Sequence, residues 1–171
     1  MRSNKATLGY FYSAFAHLDA DAMCTCYAPQ AQFDDELFSV RGSDEIAGMW
    51  RMACQSLQDR DRRDWKLNYR TFMLSEQIGC AHWRARYHFG PAGRQVQSRV
   101  TATFLFGPDG RIVQQHDQFD FWRWSRQALG LQGLLLGWTP FLRQQVRSRA
   151  RENLTHYLAS QAVRQSPNTN T

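Results

Sequence analysis

The stretch from residue 111 to residue 124 carries three side chains suited to acid–base chemistry, His116, Asp117 and Asp120. It follows a Gly-Pro-Asp-Gly turn and is rich in aromatic residues, so we predict a β-strand from Ile112 to Trp124. Side chains alternate along a strand, so Asp117 shares a face with phenylalanines while His116 and Asp120 point the other way. A carboxylate on such a face is unfavourable unless it is paired, hydrogen-bonded or lining a pocket. Asp117 is therefore the first candidate functional residue.

Two interpretations of Asp117 stay open from the sequence. In the functional one, the apolar wall raises the pKa of Asp117, which acts as a general base or accepts a hydrogen bond from a ligand. In the structural one, Asp117 is a buried carboxylate satisfied by Trp or Tyr donors, such as Trp50 or Tyr87. The outward-facing His116 fits a surface or interface role better than a catalytic one.

Asp35 is the second candidate. It lies between Asp34 and Glu36, and an acidic turn at the end of an extended segment is usually just solvated. If Asp35 and Asp117 share one cavity, their mutual repulsion separates their pKa values and supplies an acid and a base at neutral pH.

Histidines and cysteines show no metal-binding pattern. His82, His88 and His116 can share one face of a sheet, but no pair has i, i+4 helical spacing or an adjacent carboxylate. The cysteines lack Cys-x-x-Cys spacing, and we interpret them as buried thiols in a reducing compartment: Cys24, Cys26, Cys54 and Cys80. We expect no metal and no cofactor.

The net charge of +6 and the pI near 9.5 raise the question of an acidic partner. One arginine cluster, Arg60, Arg62 and Arg63, is diluted by aspartates, and a second, from Arg143 to Arg164, is spaced like the exposed face of a helix. Neither accompanies a recognised nucleic-acid motif, so we expect no nucleic-acid partner. No apolar run is long enough to span a bilayer and the N-terminus lacks a signal-peptide pattern, so the expected location is cytoplasmic.

Length and periodicity predict one α+β domain. A chain of 171 residues with 43% hydrophobic and 13% aromatic residues suits a single domain over residues 1–165, with a disordered tail at 166–171. Apolar spacing predicts helices over 5–18, 20–27 and from Ser43, and a bent extended segment over 31–40. Alternating segments joined by short turns predict an antiparallel meander over 65–77, 79–89, 95–106 and 112–124. A Leu-rich linker and a helix from Pro140 form an extension over about residues 126–163.

This order of elements resembles the nuclear transport factor 2-like superfamily, which includes SnoaL-like polyketide cyclases, ketosteroid isomerases and limonene epoxide hydrolases. The resemblance implies an α+β cone: a curved antiparallel sheet wrapped on an N-terminal helical hairpin and a third helix, here with an extra C-terminal helix. It rests on Phe15-x-x-Leu18-Asp19-Ala20-Asp21, Tyr27-Ala28-Pro29-x-Ala31-x-Phe33-Asp34-Asp35, Arg41-Gly42-Ser43-x-Glu45-Ile46 and Gly110-Arg111-Ile112-Val113.

Only part of the ketosteroid isomerase active site has a counterpart in this sequence, according to the resemblance. Asp35 falls at the position of the carboxylate base, whereas the two oxyanion donors fall on Ala14 and Ala102. Without those donors the enolate has no stabiliser, so steroid isomerisation is not expected.

The limonene epoxide hydrolase machinery is also incomplete. One of its two aspartates maps onto Asp117, because its strand is similar to residues 116–120. Its second Asp and its Arg fall on Tyr87 and Ala85, its Tyr on Phe33 and its Asn on Asp35.

The resemblance also implies an apolar ligand pocket inside the cone and a homodimer through the outer sheet face, near Arg84, Arg86 and Trp122. Simple core packing is the alternative for the predicted lining residues, Phe33, Trp50, Trp83, Tyr87, Phe104, Phe119 and Phe121. The Leu-rich linker could cover the cavity mouth, dock on a partner subunit or touch a membrane. Packing within the domain or the dimer is preferred, and membrane contact is not expected.

Two functional hypotheses follow. The first is a SnoaL-like protein that binds a small apolar molecule and catalyses an isomerisation, cyclisation or epoxide hydration, with Asp117 as base and Asp35 or Tyr87 assisting. The second is a non-catalytic ligand-binding or dimeric interaction protein that has lost the catalytic residues of its relatives. Whether the protein is an enzyme stays open from the sequence.

Overall fold

A computed structural model describes residues 3–61 and 64–165. Its helices are α1 (Asn4–Ala16), α2 (Ala20–Cys24), α3 (Ser43–Asp61), α4 (Phe121–Ala128), α5 (Leu131–Leu136) and α6 (Pro140–Gln165). Its strands are β1 (Tyr27–Asp34), β2 (Ser39–Arg41), β3 (Lys66–Met73), β4 (Ile78–Phe89), β5 (Arg94–Phe106) and β6 (Ile112–Phe119). Arg62, Arg63 and the predicted tail at 166–171 lie outside the described residues.

The strands form one six-stranded curved sheet in the order β2-β1-β6-β5-β4-β3. The predicted antiparallel meander is confirmed for β3 through β6. The prediction did not include the parallel pairing of β1 with β6, which places Phe33 beside Gln115. This pairing matters for the site, because it brings the end of β1 next to the end of β6.

Helices α1 and α3 cover one face of the sheet, as expected for the predicted α+β cone. The core between them is built from buried aromatic side chains such as Phe11, Phe15 and Trp50, whose rings meet mostly edge to face. In β4 the predicted alternation is confirmed, since Ala81 and Ala85 are buried whereas His82 is exposed.

Three predicted element ends in the N-terminal half require correction. The first helix ends at Ala16, before the left-handed Leu18 (φ 58°), and the second ends at Cys24. Tyr27, predicted as helical, begins β1, where its buried side chain joins the core. The bend predicted near residues 31–40 is confirmed as a turn over residues 35–38 between β1 and β2.

The prediction that β6 continues to Trp124 was wrong. The strand ends at Phe119, because the carboxylate of Asp120 accepts a hydrogen bond from the backbone N–H of Arg123 (2.9 Å) and caps α4. Helical spacing then buries Trp124 and exposes Trp122. Trp122 is therefore a helix residue, and its predicted place on the outer sheet face is also wrong.

The extension after β6 is helical throughout most of its length. The predicted helix start at Pro140 is confirmed, whereas the predicted Leu-rich linker contains α5. Helix α6 packs on α3, where Leu158 lies against Gly48, and the Arg151 guanidinium meets the Glu45 carboxylate at 2.8 Å. A second, smaller apolar cluster joins α4 to the sheet and to Val146 of α6.

Candidate active site

Asp117 lies on the inner face of β6, beside Ala102 of β5, and only 4% of its surface is exposed. The strand alternation that placed it among apolar residues is therefore confirmed. Its cross-strand neighbour Ala102 belongs to the main core.

A chain of buried hydrogen bonds leads to this carboxyl group. The indole N–H of Trp50 donates to the hydroxyl of Tyr27 (3.0 Å), and that hydroxyl donates to the amide oxygen of Gln115. The amide nitrogen of Gln115 donates in turn to Oδ1 of Asp117 (2.8 Å). Because Tyr27 engages the amide oxygen, the amide N–H₂ must face Asp117, so the orientation of the carboxyl group is fixed from the far side of the core.

The donors to Asp117 are thus Gln115 and Trp83. A Trp donor was predicted and is present, but it is Trp83, and neither of the two examples named from the sequence, Trp50 and Tyr87, takes that role. Trp50 acts through two intermediate side chains. Tyr87 instead exchanges a hydrogen bond with the hydroxyl of Ser98 (3.0 Å) and accepts one from the indole N–H of Trp124 (3.1 Å).

Burial raises the pKa of Asp117 from its ordinary value of 3.8 to about 7. The hydrogen bond from Gln115 opposes this rise, the negative charge of Asp35 adds to it, and a hydrogen bond from Trp83 again opposes it. Removal of the carboxylate from water is the dominant cause. The group is consequently close to half ionised at neutral pH, the state expected of a general base.

Asp35 closes the turn between β1 and β2. Its Oδ1 accepts hydrogen bonds from the backbone N–H groups of Leu37 (2.6 Å) and Phe38 (2.5 Å). Burial raises the pKa of Asp35 to about 6, although both backbone bonds and the charge of Arg147 lower it and Glu36 raises it. The carboxyl group is therefore more than a solvated acidic turn.

The two candidate carboxyl groups lie near each other where β1 pairs with β6. Phe33 pairs with Gln115 and Asp34 with His116, so Asp35, directly after the end of β1, comes next to Asp117 of β6. The effect of the Asp35 charge on the pKa of Asp117 reflects this proximity. We call the group formed by Asp35, Asp117, Trp83 and Tyr87 the carboxyl site.

The predicted lining residues divide into two sets. Phe33, Trp50 and Phe104 are buried in the main core, and Phe121 is a buried residue of α4, not of a strand. The other three are partly exposed beside the carboxyl site: Trp83, Tyr87 and Phe119.

Two cavities outside the carboxyl site are present among the described residues. One of about 390 Å³ is lined by Trp138, Pro140, Arg143, Gln144 and Arg147. The other, about 640 Å³, lies by the start of α1 and the turns at residues 73–77 and 107–110. Neither is lined by Asp35 or Asp117, so the apolar pocket beside Asp117 stays a prediction.

Sequence reasoning missed Tyr12. Its ring is fully buried, and its hydroxyl has no hydrogen-bond partner among the described residues. Burial and the charge of Asp117 raise its pKa well above the usual value, which places the hydroxyl near the carboxyl site. Tyr12 follows Leu8 by four positions and precedes Phe15 by three, so helical periodicity could have found it.

His116 and Asp120 do not join this site. His116 is exposed on the other face of β6, as predicted, and Asp120 caps α4. Within residues 3–61 and 64–165, no group of three His, Cys, Asp or Glu side chains is arranged to hold a metal ion.

Comparison with known proteins agrees with this architecture. A family model described as "SnoaL-like domain" matches residues 8–115, which is more than half of the chain. The chain belongs to the SnoaL-like domain family. No curated protein sequence matches this SnoaL-like chain.

Solved structures confirm the fold of the SnoaL-like chain. A candidate polyketide cyclase from Xanthomonas campestris pv. campestris is 19% identical, with a TM-score of 0.58 over 73% of this chain and 96% of that one. A candidate isomerase from Bacillus subtilis is 14% identical, with a TM-score of 0.59 over 75% and 93% of the two chains. A SnoaL-like protein of unknown function from Burkholderia thailandensis E264 is 18% identical, with a TM-score of 0.54 over 68% and 92%. At these identities the likeness concerns the fold.

Proposed function

We propose that this SnoaL-like protein binds a small, largely apolar molecule at the carboxyl site and that Asp117 accepts a proton from it. The observation that carries the proposal is the raised pKa of Asp117, about 7, in a buried position oriented by Gln115. A carboxylate that only stabilises the fold does so best when its pKa is lowered, whereas a base that works at neutral pH needs a pKa near 7.

The surroundings of Asp117 support an apolar ligand. Trp83, Tyr87 and Phe119 are partly exposed aromatic side chains, and they offer apolar surface next to a proton acceptor. Asp35, with a pKa near 6, is mostly ionised at neutral pH and keeps the neighbouring Asp117 basic.

The proposed chemistry is a proton transfer without a covalent intermediate. The ionised carboxylate of Asp117 removes a proton from an activated C–H bond or from an attacking water, and the protonated Asp117 returns that proton to the product. Isomerisation, ring closure and epoxide hydration all fit this sequence, and the name given to the Xanthomonas relative points to cyclisation.

The test begins with ligand-observed NMR on a panel of small apolar ketones and epoxides, followed by turnover assays of the molecules that bind. The Asp117→Asn variant should lose activity by at least about 100-fold, and the wild-type rate should rise with pH through about 7. Asp34→Asn is the matched control, because Asp34 points to the opposite face and bonds the Ser39 hydroxyl (2.6 Å). Near-wild-type turnover by Asp117→Asn would refute the base assignment.

A second candidate function is non-catalytic binding. It is favoured by the fixed protein donors on both carboxyl groups, namely Gln115 and Trp83 on Asp117 and two backbone N–H groups on Asp35. In that case Trp83→Ala weakens ligand binding, while Asp117→Asn changes no reaction rate because none of the bound molecules is converted.

A further inference from the structure

Helix α5 and its C-terminal flank present the largest group of exposed apolar side chains in the described chain. Six such residues fall within eleven positions, and their exposed fractions run from 44% to 71%: Leu131, Leu134, Leu135, Leu136, Trp138 and Phe141. We call them the α5 patch. These side chains do not pack within the domain, while the other part of the preferred interpretation, packing against a partner subunit, stays a prediction.

The opposite face of α5 is packed against α4, so the side chains of the patch point toward solvent. Gly133 and Gly137 are buried against α4, where a Cβ on Gly133 would lie 1.9 Å from the carbonyl oxygen of Ser125. A Cβ on Gly137 would lie 2.1 Å from the Ser125 hydroxyl. Only glycine permits this approach, so the leucine side of α5 cannot turn inward without breaking the α4–α5 contact.

The segment that carries the patch is rich in positive charge. Residues 121–151 contain six arginines and no aspartate or glutamate, which equals the net charge of +6 of the whole chain. Arg143 and Arg151 reach back to Glu36 and Glu45, whereas Arg123, Arg126 and Arg149 are exposed.

A cavity of about 390 Å³ adjoins the patch. Trp138, which belongs to the patch, forms part of its lining, and Arg143, Gln144 and Arg147 supply hydrogen-bond donors. Such a lining matches a phosphate group carried on an apolar molecule, because an indole and two guanidinium groups line the same cavity.

We propose that the α5 patch docks the protein on the surface of a membrane that contains anionic phospholipids. The leucine, tryptophan and phenylalanine side chains enter the boundary between headgroups and acyl chains, while the arginines contact lipid phosphates. No helix in the described part of the chain is long and apolar enough to cross a membrane, so the contact is peripheral. This inference is independent of the chemistry of the carboxyl site.

Charge also decides against a second copy of the chain as the occupant of the patch. In a two-fold dimer the same surface meets itself, so the exposed arginines around one patch would face those around the other. Glu36 and Glu45 are already paired with Arg143 and Arg151, and residues 121–151 contain no acidic side chain that could compensate the other arginines. An anionic lipid surface supplies the missing negative charge.

The experiment is co-sedimentation of the purified full chain with vesicles, either pure phosphatidylcholine or phosphatidylcholine with about 30% phosphatidylglycerol. We expect binding to the anionic vesicles at least about tenfold stronger than to the neutral ones, and weaker at high salt. The double variant Leu135→Ser/Trp138→Ser should lose about tenfold or more, and Arg123→Gln/Arg149→Gln should lose the preference for anionic vesicles.

Leu74→Ser is the matched control, because Leu74 is 62% exposed in the turn between β3 and β4. That turn lies at the opposite end of β4 from Arg94, whose guanidinium lies against Gly130 at the start of α5. It should bind vesicles like the wild type. Circular dichroism of every variant confirms folding, and gel filtration with light scattering gives the oligomeric state. Absence of vesicle binding by the folded wild type, or equal binding by wild type and Leu135→Ser/Trp138→Ser, overturns the proposal. The proposal is also overturned if the wild type forms a dimer that is lost in this double variant and that persists in the presence of anionic vesicles.

Discussion

Replacement of Asp117 by asparagine changes the pH dependence of folding stability in a way that follows directly from its burial. Asparagine has nearly the same shape, and its side-chain oxygen can still accept the hydrogen bond from Gln115. The variant removes the charge and keeps the packing. The perturbation is therefore almost purely electrostatic.

The magnitude follows from the shift of the pKa from 3.8 to about 7. A carboxyl group with a raised pKa holds its proton more tightly in the folded protein than in the unfolded chain. Its stabilising effect is therefore complete below about pH 4 and is lost as the pH rises through about 7. A shift of roughly three units corresponds to about 4 kcal/mol, lost at about 1.4 kcal/mol per pH unit in between.

Urea unfolding of both proteins, followed by tryptophan fluorescence at closely spaced pH values from about 4 to 8, measures this effect. The two free energies of unfolding should be similar near pH 4, and Asp117→Asn should become the more stable protein by about 4 kcal/mol near pH 8. Asp34→Asn serves as the control and should follow the wild-type curve. A difference between wild type and Asp117→Asn that stays constant across this pH range contradicts the burial of an ionisable Asp117.

Two further substitutions probe the polar groups around the site. Gln115→Leu removes a hydrogen-bond donor to Asp117 and the acceptor for the Tyr27 hydroxyl. The free energy of unfolding should therefore fall by about 1–3 kcal/mol, and the pKa of Asp117 should rise further. Gln114→Leu, on the exposed face of β6, is the control and should change neither quantity. Tyr12→Phe removes a buried hydroxyl that has no hydrogen-bond partner among the described residues. The free energy of unfolding, measured in urea, should therefore rise by about 1 kcal/mol. A fall in this free energy would show that the hydroxyl is hydrogen-bonded.

Local rules predicted the position of Asp117 but not the end of its strand. The period-two alternation of β6 placed Asp117 inward and His116 outward, and the structure confirms both. The aromatic residues 121–124 resemble a strand by composition, yet Asp120 caps a helix that buries Phe121 and Trp124. A capping aspartate followed by apolar residues three apart was the signal that outweighed β-propensity.

The partners of Asp117 depend on pairings that no local pattern reveals. Gln115 shares the inner face of β6 with Asp117, so alternation alone could have nominated it. The link from Gln115 to Tyr27 and Trp50 required the parallel pairing of β1 with β6 and the position of α3 above them. Long-range pairings of this kind are set by the packing of the whole sheet.

Helix α5 was predicted as a linker because of its glycine residues. Gly130, Gly133 and Gly137 disfavour helix, so the segment was predicted as a linker. The four-residue spacing of Gly133 and Gly137 instead creates a smooth helix face that lies against Ser125. Tertiary contact with α4 thus overrides the intrinsic propensity and leaves the leucines exposed.

The most direct test of the proposed function is an NMR titration of the side-chain carboxyl carbon of Asp117. We expect a midpoint near pH 7 for the wild type. We expect a lower midpoint in Asp35→Asn, because the negative charge of Asp35 contributes to the rise of the Asp117 pKa. A midpoint near the ordinary value of about 4, unchanged in Asp35→Asn, would contradict the assignment of Asp117 as a base poised for proton transfer at neutral pH.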